Sequence, residues 1–71
     1  MRVSFDQVFQ RLPNGAIGPK VPVYLNGVTM TPGVSFGSGV RFGGVDLSEI
    51  QHQDLEIEIQ NGIYIIKGTF R

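Results

Sequence analysis

Strict alternation of apolar and polar residues marks the last third of the chain. Residues 55–60 read Leu-Glu-Ile-Glu-Ile-Gln, and an Asn-Gly pair separates them from a second apolar segment at residues 63–70. A period of two predicts half-buried β-strands, and Asn-Gly supplies the positive φ angles of a two-residue type I′ turn. The pattern therefore predicts a β-hairpin that turns at Asn61 and Gly62.

The turn also predicts which residues of this hairpin face each other. The predicted core face pairs Ile59 with Tyr64, Ile57 with Ile66 and Leu55 with Gly68, and the other face pairs Gln60 with Ile63, Glu58 with Ile65 and Glu56 with Lys67. Ile63 and Ile65 thus lie on the charged face of their own hairpin. Two neighbouring apolar side chains on so small a surface indicate that something covers them. The N-terminal helix and another subunit are the two alternatives.

A second Asn-Gly hairpin is predicted at residues 21–31. The turn at Asn26 and Gly27 predicts a register in which Leu25 faces Val28, Tyr24 faces Thr29 and Val23 faces Met30. Tyr24 then lies on the outer face of the hairpin. Pro22 falls at a non-hydrogen-bonded position, which is typical of an edge strand or of a strand that is broken there.

The N-terminal segment has the spacing of a short amphipathic helix. Within residues 4–12 the apolar side chains follow i, i+3, i+4, i+7 spacing, namely Phe5, Val8, Phe9 and Leu12. Ser4 and Gln7 have the spacing of a capping box. The expected helix either covers one side of the sheet or docks on another subunit through Phe5 and Phe9. Residues 13–20 contain too many turn-forming residues for regular structure and are interpreted as a connector.

One six-residue unit occurs three times between the two hairpins. The units are Gly-Val-Thr-Met-Thr-Pro (27–32), Gly-Val-Ser-Phe-Gly-Ser (33–38) and Gly-Val-Arg-Phe-Gly-Gly (39–44). Each unit puts two apolar side chains on one face of a short extended segment framed by turn formers. A hairpin turn at Gly43 and Gly44 would place Arg41 opposite Asp46 as a cross-strand pair.

The second and third units resemble the hexapeptide repeats of left-handed parallel β-helices. Val34 and Val40 match the small or β-branched position of that family, Gly37 and Gly43 match the small position, and Phe36 and Phe42 replace its aliphatic corner residue. The resemblance covers about a quarter of the chain. It implies one coil, whereas solenoids need about three repeats to bury a continuous core, and the family's acyltransferase activity has no motif here. Short strands joined by tight glycine turns are therefore favoured over a β-helix-like coil.

A polar segment at residues 46–54 carries the single histidine of the chain. Leu47 and Ile50 are three residues apart, which predicts one helical or 3₁₀ turn capped by Asp46. His52 lies between two glutamines and is interpreted as a solvated surface residue. Together with Glu49 and Asp54 it would bind a metal only if symmetry-related copies supplied further ligands.

Composition narrows the ways in which such a chain is stabilised. Its 71 residues suffice for one domain, 1–71, and include no cysteine. Disulfides and thiolate metal sites are therefore excluded, and oligomerisation remains the common means of supporting a small core.

Six basic and six acidic residues give no net charge, unlike the basic surface of a nucleic-acid-binding protein. No apolar run approaches the ~18 residues of a membrane span, and no signal peptide is recognisable, so a cytoplasmic or particle-associated location is predicted.

Few side chains suit catalysis. The chain has no cysteine nucleophile, and no Ser-His-Asp arrangement is recognisable in it. Glu56 and Glu58 belong to a strand face that offers no desolvation to separate their pKa values for acid–base work. We therefore expect no enzymatic activity, no cofactor and no metal.

The sequence as a whole predicts an all-β, mostly antiparallel fold. We expect a small barrel-like or strongly twisted sheet of five or six short strands with a short N-terminal helix. The predicted function is that of a structural, assembly or protein-interaction module that self-associates, as a component of a phage particle or another large assembly would. The candidate interaction surface consists of Phe5, Phe9, Tyr24, Ile63 and Ile65.

Two other functions are alternatives. The first is a small β-barrel module that binds nucleic acid or peptide through Tyr24, Tyr64, Arg41 and Lys67. The second is a small enzyme or ligand-binding protein with a site at a subunit boundary, formed by Glu56, Glu58 or His52.

Overall fold

The computed structural model describes residues 1–37 and 41–70 of the chain. Within these residues it has one short α-helix, one 3₁₀ turn and nine strands. In chain order they are β1 (Arg2–Ser4), α1 (Phe5–Val8), β2 (Phe9–Arg11), β3 (Ile17–Pro19), β4 (Val23–Leu25), β5 (Val28–Met30), β6 (Arg41–Phe42), β7 (Val45–Asp46), the 3₁₀ turn (Leu47–Glu49), β8 (Asp54–Gln60) and β9 (Ile63–Phe70).

Five of these strands form the main sheet, in the order β1-β8-β9-β4-β5. Every neighbouring pair in it is antiparallel except β4 and β9, which are parallel. The described strands β2 and β3 form a separate two-stranded ribbon, as do β6 and β7. The predicted all-β class, the strand number of the sheet and the short N-terminal helix are confirmed. The sheet is open, with β1 and β5 at its edges, so it is not a closed barrel.

The C-terminal hairpin turns where the sequence predicts. Asn61 and Gly62 have φ angles of 52° and 79°, and the predicted pairs hold from Gln60 opposite Ile63 to Ile57 opposite Ile66. A β-bulge then shifts the register by one residue, so that Glu56 faces Gly68 and Leu55 faces Thr69. The predicted pairs of Leu55 with Gly68 and of Glu56 with Lys67 are therefore wrong, because β9 contains one more residue than β8 at this point.

The first Asn-Gly hairpin has the predicted register throughout its strands. β4 is an inner strand, because it lies between β9 and β5. β4 begins at Val23, directly after Pro22. Pro22 therefore interrupts the strand, and the alternative prediction of an edge strand is wrong. The Pro22 carbonyl nevertheless accepts a hydrogen bond from the Tyr64 amide at 2.9 Å, which joins the segment to β9.

The predicted N-terminal helix is wrong beyond Val8. The helix ends there, and Phe9 to Arg11 form strand β2, which pairs with β3 in the segment that the sequence interpreted as a connector. Phe9 is buried in the strand as it would have been in a helix. The apolar spacing therefore cannot separate the two structures. The Lys20 amide donates to the Val8 carbonyl at 2.7 Å, so the returning strand supplies the hydrogen bond at the end of the helix.

The three glycine-led units have three different structures. The first contains β5, the second forms a single antiparallel bridge between Phe36 and Ile17, and the third contains β6. In the third unit Arg41 lies opposite Asp46, as predicted for a turn at Gly43 and Gly44. Val40 and the other residues at 38–40 lie outside the described residues. The described parts of the units pair as short antiparallel strands and do not stack as a parallel coil.

The hydrophobic core lies between one face of the main sheet and the elements that cover it. The Phe5 and Phe9 rings stack with their centroids 4.7 Å apart. The 3₁₀ turn forms as predicted, because the Asp46 carboxylate accepts from the Ser48 amide at 3.0 Å and Leu47 is buried. The core cluster consists of Val3, Phe5, Val8, Phe9, Ile17, Val23, Leu25, Met30, Phe42, Leu47, Leu55, Ile57 and Ile66. We call the sheet face that contacts this core the inner face, and the opposite one the outer face.

Candidate functional site

The outer face of the main sheet carries an apolar patch formed by Tyr24, Ile63 and Ile65, which we call the outer patch. Parallel pairing of β4 with β9 places Tyr24 beside Ile65. The alternation of side chains along β9 puts Ile63 on the same face as Ile65. Three of the five predicted interaction residues, from two different hairpins, are thus adjacent in space.

The outer patch lines a shallow depression of about 280 Å³, together with Gln60 and Asn61. The Tyr24 side chain is 39% exposed, and both isoleucines are half-buried by their neighbours in the sheet. All the lining residues belong to the two hairpins. The depression is therefore a surface of the sheet itself, open to a partner on its outer side.

Phe5 and Phe9, the other two predicted interaction residues, lie in the core. Their exposed fractions are 2% and 0%, and both belong to the cluster on the inner face. The helix thus covers the inner face, as the first of its two predicted roles requires. The helix does not cover Ile63 and Ile65. Of the two predicted covers for this pair, the helix and another subunit, the helix is therefore wrong.

A charged rim borders the outer patch on the β8 side. Glu58 lies opposite Ile65. Its carboxylate accepts a hydrogen bond from the side-chain amide of Gln60 at 3.1 Å and lies 3.6 Å from the Lys67 ammonium. The Gln60 hydrogen bond and, after it, the positive charge of Lys67 hold the pKa of Glu58 below its ordinary value of 4.5. This carboxylate is therefore charged at neutral pH, which suits an ion pair and not a general acid.

The sequence predicts no metal site at His52 unless symmetry-related copies add ligands to those of Glu49 and Asp54. Among the described residues, no group of three or more His, Asp or Glu side chains is placed to bind a metal ion. His52 is exposed and lines a polar depression of about 200 Å³ with residues that include Asp6 and Arg11. The guanidinium of Arg11 is already bound there by the Asp6 carboxylate and by both the side chain and the carbonyl of Gln51.

Of the four residues of the alternative binding module, Tyr24 and Lys67 lie at the outer patch and its rim, whereas Tyr64 and Arg41 lie elsewhere. Tyr64 packs against the core, whereas Tyr24 lies on the outer face. Arg41 belongs to the β6–β7 ribbon, where it donates to the Gly44 carbonyl at 3.1 Å. Tyr64 and Arg41 are thus apart from Tyr24 and Lys67, whereas surfaces that bind single-stranded nucleic acid align aromatic and basic side chains along one groove.

Sequence reasoning missed a second apolar depression, of about 240 Å³, at the end of β4. It lies where β4 stops after three residues while β9, its neighbour, runs for eight. The unequal lengths of the two predicted hairpins were the only signal for it in the sequence. Their parallel alignment, which creates the gap, was not predictable from either hairpin alone.

Comparisons with known proteins do not assign this chain to a family. Neither the protein-family models, nor the curated proteins, nor the solved structures contain a match to it. In the part of the chain that the structure describes, no helix has the length and apolar character needed to cross a membrane.

Proposed function

We propose that this protein is a small, non-catalytic interaction module that self-associates through its outer patch. The observation that carries the proposal is the meeting of Tyr24, Ile63 and Ile65 on a sheet face that the helix does not cover. The core is small and has no disulfide to support it, and burial of further apolar surface between subunits stabilises such domains.

The chemistry around the patch favours a second copy of the chain as the partner. In a two-fold symmetric pair, each surface packs against the same surface of its mate. The outer patch is apolar at its centre, and its rim carries both a carboxylate, Glu58, and an ammonium, Lys67. A rotation that stacks Ile65 on its symmetry mate can therefore place each rim charge near the opposite charge of the other copy.

A role without catalysis agrees with the groups near the patch. Glu58 is exposed and keeps its charge at neutral pH, and Tyr24 lies beside aliphatic side chains. Neither is desolvated in the way that tunes a catalytic acid or base. We place the module in the cytoplasm or within a larger particle, where repeated copies of one small subunit build the assembly.

Sedimentation velocity over a concentration range tests the proposal directly. We expect the wild-type protein to shift from monomer to dimer between about 10 μM and 1 mM, the range typical of small, weak interfaces. Ile65→Lys should weaken the association by at least about tenfold, because it buries a charge at the centre of the patch. Val34→Lys, at an exposed position outside the sheet (44% exposed), is the matched control and should leave the association unchanged.

Two outcomes would contradict the proposal. One is a wild-type protein that remains strictly monomeric at 1 mM. The other is an Ile65→Lys variant that associates as strongly as the wild type while its amide NMR spectrum shows a folded chain.

A further inference from the structure

Among the described residues, no strand pairs with the end of β9 on its β4 side. β4 pairs with β9 only through Val23 opposite Tyr64 and Tyr24 opposite Ile65, and it ends at Leu25. β9 continues to Phe70 and stays paired with β8 on its other side. Among the described residues, no strand lies beside residues 68–70 on the β4 side. Alternate N–H and C=O groups of this segment therefore point into the gap.

The missed apolar depression lies in the same gap. Its walls are aliphatic side chains from β4, β7, β9 and the segment after the 3₁₀ turn, namely Leu25, Val45, Ile50 and Ile66. Asn26, Lys67, Gly68 and Thr69 complete its lining, so no acidic residue is among the residues that form it. A pocket of about 240 Å³ is smaller than the ~300–1,000 Å³ of sites for drug-sized ligands. It suits a single aliphatic side chain.

We propose that a short extended peptide of another protein binds here as an added strand. Its main chain would pair with residues 68–70 of β9, and one aliphatic side chain would enter the pocket. This is strand addition to a sheet edge, in which main-chain hydrogen bonds supply affinity and a side-chain pocket supplies specificity. The site shares Lys67 with the rim of the outer patch but includes none of the patch residues Tyr24, Ile63 and Ile65, and the proposal does not depend on self-association.

The local backbone leaves room for such a peptide. Lys67, Gly68 and Thr69 are exposed, and a Cβ atom added at Gly68 would meet nothing within 4 Å. The bulge and the charge at Lys67 are features that protect free edges from indiscriminate pairing. They favour a ligand that is anchored by a side chain over an unrelated strand edge.

A blocked pentapeptide, acetyl-Glu-Thr-Leu-Thr-Glu-amide, is a suitable probe in an NMR titration of the wild-type protein, because the pocket lining includes Lys67 and no acidic residue. We expect saturable shifts of the Leu25, Val45, Ile50 and Ile66 methyl groups with a Kd on the order of 1 mM, given the short paired segment. Replacing the peptide leucine by serine should weaken binding at least about tenfold, through loss of the buried side chain. Methylating a peptide nitrogen that faces β9 should have a similar effect.

A protein variant tests the site from the other side. Thr69→Phe introduces a large side chain at the pocket wall and should abolish the saturable shifts, whereas Thr31→Phe, the same change at an exposed position outside the pocket, should preserve them. Equal binding of the leucine and serine peptides would overturn the proposal, and that comparison needs no protein variant. Equal binding of a peptide methylated at every nitrogen would also overturn it, because main-chain pairing would then contribute nothing.

Discussion

At the scale of single residues, Glu58 shows how a strand face sets the charge of a carboxylate. Its neighbours in space are Gln60 on the same strand and Lys67 on β9. The amide hydrogen bond is the larger cause of its lowered pKa, and the lysine charge is the smaller one. Because the pKa is lower in the folded chain, the carboxylate stabilises the fold above pH 4.5, and this contribution is lost as the pH falls through the folded value.

We predict that Gln60→Ala raises the pKa of Glu58 toward 4.5, and that Lys67→Met raises it by less. The reason is that the first change removes the hydrogen bond, while the second removes an exposed charge that solvent already screens. Titration of the Glu58 side-chain carbon signal by NMR between pH 2 and 7 measures both shifts. A larger effect of the lysine change would contradict the order of the two causes.

The residues of the outer patch were partly predictable from the sequence. The two Asn-Gly turns fix the registers of both hairpins, and these registers put Tyr24, Ile63 and Ile65 on outward faces. Their meeting was not predictable, because the pairing of β4 with β9 joins residues about 40 positions apart and leaves no local signal. Phe5 and Phe9 were included wrongly as surface residues, since their spacing fits a buried and a docking stripe equally well.

At the scale of elements, the boundary between α1 and β2 is the largest departure from the predicted structure. Helix and strand both bury Phe9, so the apolar pattern cannot distinguish them. The decisive contribution comes from β3, whose backbone pairs with β2. Gly18 lets the β2–β3 ribbon lie close to the backbone at Val34 of the same chain, because a Cβ atom at Gly18 would lie 2.6 Å from the Val34 carbonyl oxygen. Tertiary pairing thus determines the structure of residues 9–11.

We predict that replacing glutamine by threonine changes the free energy of unfolding in opposite directions on the two sides of the boundary between α1 and β2. Gln10→Thr should raise the free energy of unfolding by a few tenths of a kcal/mol (about 0.3), because β-branched residues favour strands. Gln7→Thr should lower it by about 1 kcal/mol, because the Gln7 side chain accepts from the Ser4 amide at 2.8 Å at the start of the helix. Urea denaturation of both variants measures the two differences. A loss of about 0.5 kcal/mol for Gln10→Thr would instead indicate that the helix continues past Val8.

At the scale of the whole molecule, the chain is compact for its length. Its radius of gyration is 10.9 Å, close to the ~11 Å expected for a folded domain of this size. A domain of this size nevertheless buries only about 60% of the surface of its unfolded chain, so its own core provides limited stability. Burial of the outer patch against a second copy would add to it.

We predict that the melting temperature rises with protein concentration. A second copy that binds only the folded chain stabilises it by mass action, and across a hundredfold range above the dimer Kd the rise should be on the order of 5–10 °C for a chain of this length. Scanning calorimetry at several concentrations measures the slope. For Ile65→Lys the melting temperature should no longer depend on protein concentration. A wild-type melting temperature that does not change with concentration would contradict self-association.

The order of strands in the main sheet has a consequence for synthesis of the chain. β1 and β4 are made early, but β1 pairs with β8 and one of the two partners of β4 is β9. A nascent chain cannot complete this sheet until residues near Ile65 have left the ribosomal exit tunnel. Until then Val3, Val23 and Leu25 lack the sheet strands that bury them, and only local pairs such as β2–β3, β4–β5 and β6–β7 can form. Folding therefore waits for the C-terminal hairpin, and a pause in translation before residue 54 would prolong the interval in which these side chains meet chaperones.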